Sequence, residues 1–194
     1  MKIRTYSDCL EELKGVIEQI QTVEFAQKID LVSSEISDAV LKENKLMFLG
    51  NGGSAAEAQH MAAEYMATLN KKKFRKGYPA ISLTTDTSFL TAWSNDFGLE
   101  EIFSRQVETI GKTGDILFAY STSGRSQNVI KAIRKANSKS IYVIGFSGNQ
   151  EGSMTSLCDI CFSVPSDNTA RIQEIHTFLG HTICETVENK LSAR

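Results

Sequence analysis

Two of the chain's three histidines stand beside residues able to share chemistry with them. His60 and Glu64 are four apart in a run whose Met61, Tyr65 and Leu69 recur at helical spacing. On a helix the pair projects from one face, flanked by Ala56 and Ala67 and opposite that apolar stripe. Taken alone, such a pair is a solvated ion pair of about 0.2–0.5 kcal/mol. Further along, Ile172, Ile175, Leu179, Ile183 and Val187 form the stripe of a long C-terminal helix, and His176 falls within it as a core histidine. Gln173, Thr177, Gly180, His181, Cys184 and Glu188 make a second face, small and polar. Glycine and cysteine are odd choices for plain solvent. This face is therefore expected to meet a partner chain, with Gln173 and His181 completing a site across subunits. Two imidazoles, a carboxylate and a glutamine carbonyl make either an acid/base set or four ligands of a divalent metal, with zinc suiting the first three. Spacing leaves both open.

Two loops complement this set. Gly50, Asn51, Gly52, Gly53 and Ser54 follow the apolar run 45–49 and precede a helical pattern. Ser121, Thr122, Ser123, Gly124, Arg125 and Ser126 do the same after 115–120. Both put small residues and free backbone N–H groups at a helix N-terminus, where an anion is favoured. The second adds four hydroxyls. Neither is a P-loop or a G-x-G-x-x-G turn, so no nucleotide cofactor is indicated. A lone turn of this kind is ordinary helix capping. Two at equivalent places point to a small phosphorylated ligand.

The elements that must position these residues read as follows. Residues 1–44 are helical: Leu10, Leu13, Ile17 and Ile20 recur after Ser7, the expected N-cap, and a second run carries Ile29, Val32, Ile36 and Val40. Five apolar bursts follow, at 45–50, 80–84, 115–120, 140–146 and 158–164, interleaved with helical candidates at 54–69, 100–110, 126–138 and 169–192. Strands that are apolar almost throughout and alternate with helices indicate a doubly wound α/β domain. Its five-stranded parallel sheet is covered on both faces, with a helical N-terminal extension. Such a sheet binds its ligand beyond the carboxyl ends of its strands. The whole chain, 1–194, reads as one domain.

Composition narrows the classes further. With 194 residues, 41% of them hydrophobic, and a net charge of −2, the chain supports a real core and offers no broad nucleic-acid footprint. Its apolar runs fall far short of the roughly 18 residues a membrane span needs. Acids stand where a signal peptide would be apolar, so a cytoplasmic location is expected. Cys158 and Cys161 form a C-x-x-C inside a strand-like burst, with no second pair for zinc, and read as two partly buried thiols. The basic run 71–76 reads as a solvated loop, with attraction of an anionic ligand second.

Residues 50–66, SNDFG (94–98), STSGRSQNVIKAI (121–133) and TARIQEIHTFLGH (169–181) resemble the sugar isomerase (SIS) family, with a flavodoxin-like sheet, and more narrowly its phosphoheptose isomerase branch. The resemblance spans nearly the whole chain. It implies conversion of sedoheptulose 7-phosphate to D-glycero-D-manno-heptose 7-phosphate, at the start of heptose supply for lipopolysaccharide and other surface polysaccharides. It also implies a homotetramer, with residues 1–44 in its contacts and active sites at subunit interfaces. Glu64 would be the base that removes the proton beside the carbonyl, and His181 the partner acid. Ser121, Thr122, Ser123 and Ser126 would hold the phosphate; Asn51, Gly52, Gly53, Ser54, Asn95, Asp96 and Gln173 would line the sugar. Some members bind zinc through the residues matching His60, Glu64, Gln173 and His181.

Two positions depart from the pattern. Thr68 stands where an arginine usually reaches the substrate, leaving a residue of 71–76 as its expected substitute. Ala170 stands where some members have aspartate. Two alternatives remain open: a SIS scaffold that binds the replication initiator, and an isomerase of a pentose or hexose phosphate.

Overall fold

The computed structural model describes residues 4–72, 74–149 and 152–193; Lys73 of the basic run lies outside them. Helices α1 (Tyr6–Ile20) and α2 (Val23–Leu41) lead into the alternating part of the chain. There follow β1 (Leu46–Leu49), α3 (Gly53–Met66), β2 (Ala80–Ser82), α4 (Thr87–Phe97), a 3-10 turn at Leu99–Glu101, and α5 (Ile102–Ile110). The chain continues through β3 (Ile116–Ser121), α6 (Gln127–Ser138), β4 (Tyr142–Ser147), a 3-10 turn at Thr155–Leu157, β5 (Ile160–Ser163) and α7 (Thr169–Ser192). All strand pairs are parallel, in the order β2-β1-β3-β4-β5. The expected doubly wound, five-stranded sheet is present.

Both faces of the sheet are covered, which is why its strands are apolar without alternation. Leu46, Phe48, Ile116, Phe118 and Tyr120 point into a core shared with α1, α2, α3 and α7. Met47, Leu49, Leu117 and Ala119 point into a second core shared with α5 and α6. An aromatic row crosses the first face: Phe48 stacks on Phe118 at 4.3 Å and Phe146 on Phe162 at 5.2 Å. Such pairs each add roughly 0.5–1.5 kcal/mol beyond the area they bury.

Three local expectations are corrected. Thr5, not Ser7, caps α1, because Asp8 stands three residues on and completes a capping box with it. Cys158 lies before β5 rather than within it, and α3 stops at Met66, so Leu69 follows the helix. Helix α4 has no counterpart in the sequence reading. It buries no residue fully, so its pattern carries little core signal, although the Asp86 side chain caps it. Among the described residues, no helix is long and apolar enough to cross a membrane.

Candidate active site

Helices α3 and α6 open directly from the β1 and β3 loops, and β1 and β3 are adjacent although β2 intervenes in sequence. This is the switch point of the sheet, where doubly wound folds bind ligands. Side chains tie the two loops together: the Asn51 amide donates to Asn128 Oδ1 (2.9 Å), and the Asn128 amide donates to Asn51 Oδ1 (2.8 Å). Asn128 was not anticipated, and only its place in the first turn of α6 could have signalled it. Ordinary capping does not account for these loops. The side chains of Thr5, Thr22, Asp86 and Asn168 cap α1, α2, α4 and α7, whereas α3 and α6, like α5 after its 3-10 turn, receive no side-chain cap. Ser126 Oγ instead accepts from Ser121 Oγ (3.0 Å); Val129 N donates to Asn128 Oδ1 (3.0 Å), which leaves the Gln127 and Asn128 amides of the first turn for another acceptor. Gly52 and Gly124 hold the left-handed backbone these turns require, at φ 54° and 61°. Thr122 is half-buried and Ser123 exposed at the loop's lip.

The histidines meet across the seam between α3 and α7. His60 Nε2 and His181 Nε2 are 2.7 Å apart, with the rings edge-to-face, and Glu64 Oε1 lies 3.9 Å from His60 Nε2. Two nitrogens that close must share a proton or a cation, because two neutral lone pairs repel. One donor atom from each of His60, Glu64 and His181 lies within 4.8 Å of the others. Zinc with ligands at about 2.0–2.1 Å spaces its donor atoms roughly 3.3 Å apart, so the set fits that ion with small side-chain adjustments. Gln173 lines the same cleft of about 410 Å³, beside Gly53, Ser54 and His60. Its carboxamide lies against Gly53, where an added Cβ would sit 2.4 Å from Nε2 and turn the glutamine aside.

All three residues of this triad belong to one chain, which corrects the expected role of the second face of α7. That face packs on α3 of the same chain: Thr177 donates to Glu57 (2.6 Å), Gly180 makes room for Met61, and Cys184 and Glu188 are buried. Glycine here serves close helix contact. Glu57 was missed, though it lies three residues before His60 and seven before Glu64 on the same helical face. Its Oε1 is buried without a partner. Burial pushes this carboxyl up, opposed by the Thr177 hydrogen bond and the nearby histidines.

Other residues hold different places. His176 is a core histidine as expected: its Nε2 lies 3.2 Å from Ser147 O, and burial lowers it to about 4. Asn95 and Asp96 sit exposed on α4, where the Asn95 amide donates to Asp96 (2.8 Å) rather than to the histidine cluster. Arg75 does not replace the missing arginine. It is half-buried, donating to Glu188 Oε1 (2.8 Å), Tyr65 O (2.9 Å) and Glu64 O (3.0 Å) over the Tyr78 ring. Lys71, Lys72 and Lys76 are exposed, in keeping with a solvated loop.

The SIS domain profile matches residues 9–148. The chain belongs to the SIS domain family. Within that family it is 44% identical over 184 residues to a phosphoheptose isomerase of Roseiflexus, covering 94% of this chain and 92% of that one. It is 43% identical over 192 residues to one from Aliarcobacter butzleri, covering 99% and 100%. The solved phosphoheptose isomerase of Neisseria gonorrhoeae superposes with a TM-score of 0.87 at 34% identity, covering 94% of this chain and 96% of that one. That from Francisella tularensis gives 0.80 at 30%, covering 96% and 100%.

Proposed function

We propose that this chain, as a single SIS domain, is a cytoplasmic aldose–ketose isomerase. In this reading it converts sedoheptulose 7-phosphate to D-glycero-D-manno-heptose 7-phosphate for surface polysaccharide. The observation that carries the reading is the meeting of His60, Glu64 and His181, with His60 on a cleft that Gln173 and the uncapped N-terminus of α3 also line. The relatives named above carry that activity in their names.

Ketose–aldose exchange moves a proton between adjacent carbons through an enediol. It therefore needs a base, an acid and support for negative charge on oxygen. The α6 amides with Ser121, Thr122, Ser123 and Ser126 bind the phosphate. Asn51, Gly52, Gly53, Ser54, Asn95, Asp96 and Gln173 contact the sugar. Glu64 takes the proton from the carbon beside the carbonyl, and His181 exchanges the oxygen-bound proton; each such group contributes about 10²–10⁴-fold. Zinc on His60, Glu64, Gln173 and His181 would polarise the carbonyl and stabilise charge on its oxygen. A carboxylate held on a cation is a weaker base, so the two roles of Glu64 compete. The active form is a homotetramer with sites at subunit interfaces, to which the exposed apolar Leu10, Ile17, Val23 and Leu31 of α1 and α2 are suited.

Purified protein is incubated with sedoheptulose 7-phosphate and followed by NMR, with and without zinc and a chelator. The aldose 7-phosphate is expected, and the chelator arm measures whether metal takes part in turnover. No product from a folded tetramer in any condition transfers the reading to another sugar phosphate or to the initiator-binding scaffold. The other-sugar reading has an observation behind it: the Thr68 hydroxyl is 3.4 Å from Glu188, and Arg75 is engaged behind α3.

A further inference from the structure

The stretch after α3 has no part in the isomerase reading. Between Glu64 and Asp86 the sequence holds no acid, and Lys71, Lys72, Arg75 and Lys76 fall close together within it. In a chain of net charge −2 this is a local basic patch. Arg75 turns inward to Glu188. Lys71, Lys72 and Lys76 are exposed, and among the described residues their side chains have no ion-pair or hydrogen-bond partner. Phe74 stands among them with 94% of its surface exposed. Solvation accounts for the lysines but not for the ring, which gains by leaving water.

The loop adjoins an apolar cavity of about 660 Å³. Val40 and the exposed Leu41 at the end of α2, Tyr78 and Pro79 before β2, and Leu191 of α7 line it. Lys76 shares its wall, with Glu43 opposing that charge. The aliphatic lining suits methylene chains. Single-stranded nucleic acid stacks successive bases on successive rings, and this surface does not supply them. Beyond Phe74 the groups are mostly aliphatic, and the Tyr78 ring already carries the Arg75 guanidinium at 3.7 Å.

Unpaired cations, an exposed ring and an aliphatic cavity together match the surface of an anionic bilayer. Its phosphates meet the lysines, and its upper acyl chains meet the ring and the cavity. The position suits such a role. Helix α3 has 14 residues, about 21 Å, and the loop leaves its C-terminal end. Gly53 and Ser54 of the cleft lie on its first turn, so contact through the loop leaves that end open.

We propose that Lys71, Lys72, Phe74, Lys76 and the adjoining cavity form a peripheral docking surface for a membrane rich in anionic phospholipid. Each lysine contributes about fivefold to partition onto such a surface, and insertion of the Phe74 ring about tenfold. Contact by one chain is therefore reversible and depends on salt. It does not require the isomerase reading.

The full chain is sedimented with vesicles of phosphatidylglycerol mixed with phosphatidylcholine, and with vesicles of phosphatidylcholine alone, at low and high salt. Binding is expected to the anionic vesicles at low salt, with little to the neutral ones and a marked loss at high salt. Phe74→Ser should weaken it about tenfold. Lys71→Gln combined with Lys72→Gln should weaken it about 25-fold. Denaturation midpoints should not move, because these side chains are exposed. No binding to anionic vesicles overturns the proposal, and so does equal binding to neutral ones. Binding that Phe74→Ser leaves intact also overturns it, since charge alone would then explain the attraction. A single-stranded oligonucleotide bound more tightly than the vesicles, with the same dependence on Phe74, would assign the surface to nucleic acid instead. A smaller oligomer in Phe74→Ser would assign it to a second copy of the chain, and either result contradicts membrane docking.

Discussion

The seam between α3 and α7 holds ionisable groups at two levels, in opposite condition. At its far end Glu188 is 4% exposed and accepts from Leu69 N (2.9 Å), Asn70 N (3.2 Å) and Arg75 Nε (2.8 Å). Burial alone would raise this carboxyl, but the Leu69 amide, the Arg75 guanidinium and the Asn70 amide together hold it below its usual range. Arg75 in turn closes the last carbonyls of α3, so every charge there has its partner. Two turns earlier, Glu64 Oε1 lies 3.9 Å from His60 Nε2, beyond hydrogen-bond distance. The histidine nitrogens converge on each other, and Glu57 Oε1 has no partner. The same pair of helices thus builds a satisfied, structural end and an unsatisfied end open to a cleft. Reactivity is expected where partners are missing.

Substitutions that separate the two ends sharpen this contrast. His181→Gln should lower isomerase turnover by about 10²–10⁴-fold while leaving the denaturation midpoint close to wild type. At the other end, Glu188→Ala leaves the half-buried Arg75 guanidinium without its carboxylate and the Leu69 and Asn70 amides without their acceptor. It should cost about 3–5 kcal/mol of stability in urea titration, with kcat of the surviving folded enzyme little changed. If Glu188→Ala lost turnover without losing stability, the division between the ends would fail.

Acid probes the core behind the site. His176 is lowered from 6.5 to about 4 by burial, so the unfolded chain binds more protons between those values. Its contribution is complete above pH 6.5 and is lost as pH falls toward 4, on the order of 3 kcal/mol in all. Urea titrations across that range should show the decline, and His176→Phe, if it folds, should flatten it. The smallest effect is expected at the tie between loops: Asn128→Ala should raise KM for the sugar phosphate by about fivefold, the worth of one hydrogen bond.

The sheet was legible because burial on both faces removes alternation, as in Leu46–Leu49 and Ile116–Ser121. Helix α4 was not, since it buries no residue fully and its threonines and aromatics favour helix weakly. The i,i+4 spacing placed His60 and Glu64 on one face correctly. Which surface the second face of α7 meets is a tertiary matter. Gly180 was read as a mark of a foreign chain, whereas it admits Met61 of the same chain. Arg75 was equally opaque, because nothing local says whether a guanidinium in a basic run turns outward to substrate or inward to Glu188.

The most direct test of the open end is turnover of sedoheptulose 7-phosphate in D2O by wild type and Glu64→Gln side by side, with NMR following deuterium in the aldose. The account predicts deuterium at the carbon beside the new aldehyde with wild type, and no aldose from a folded Glu64→Gln chain that still binds the sugar phosphate. Wild-type turnover by Glu64→Gln would contradict it.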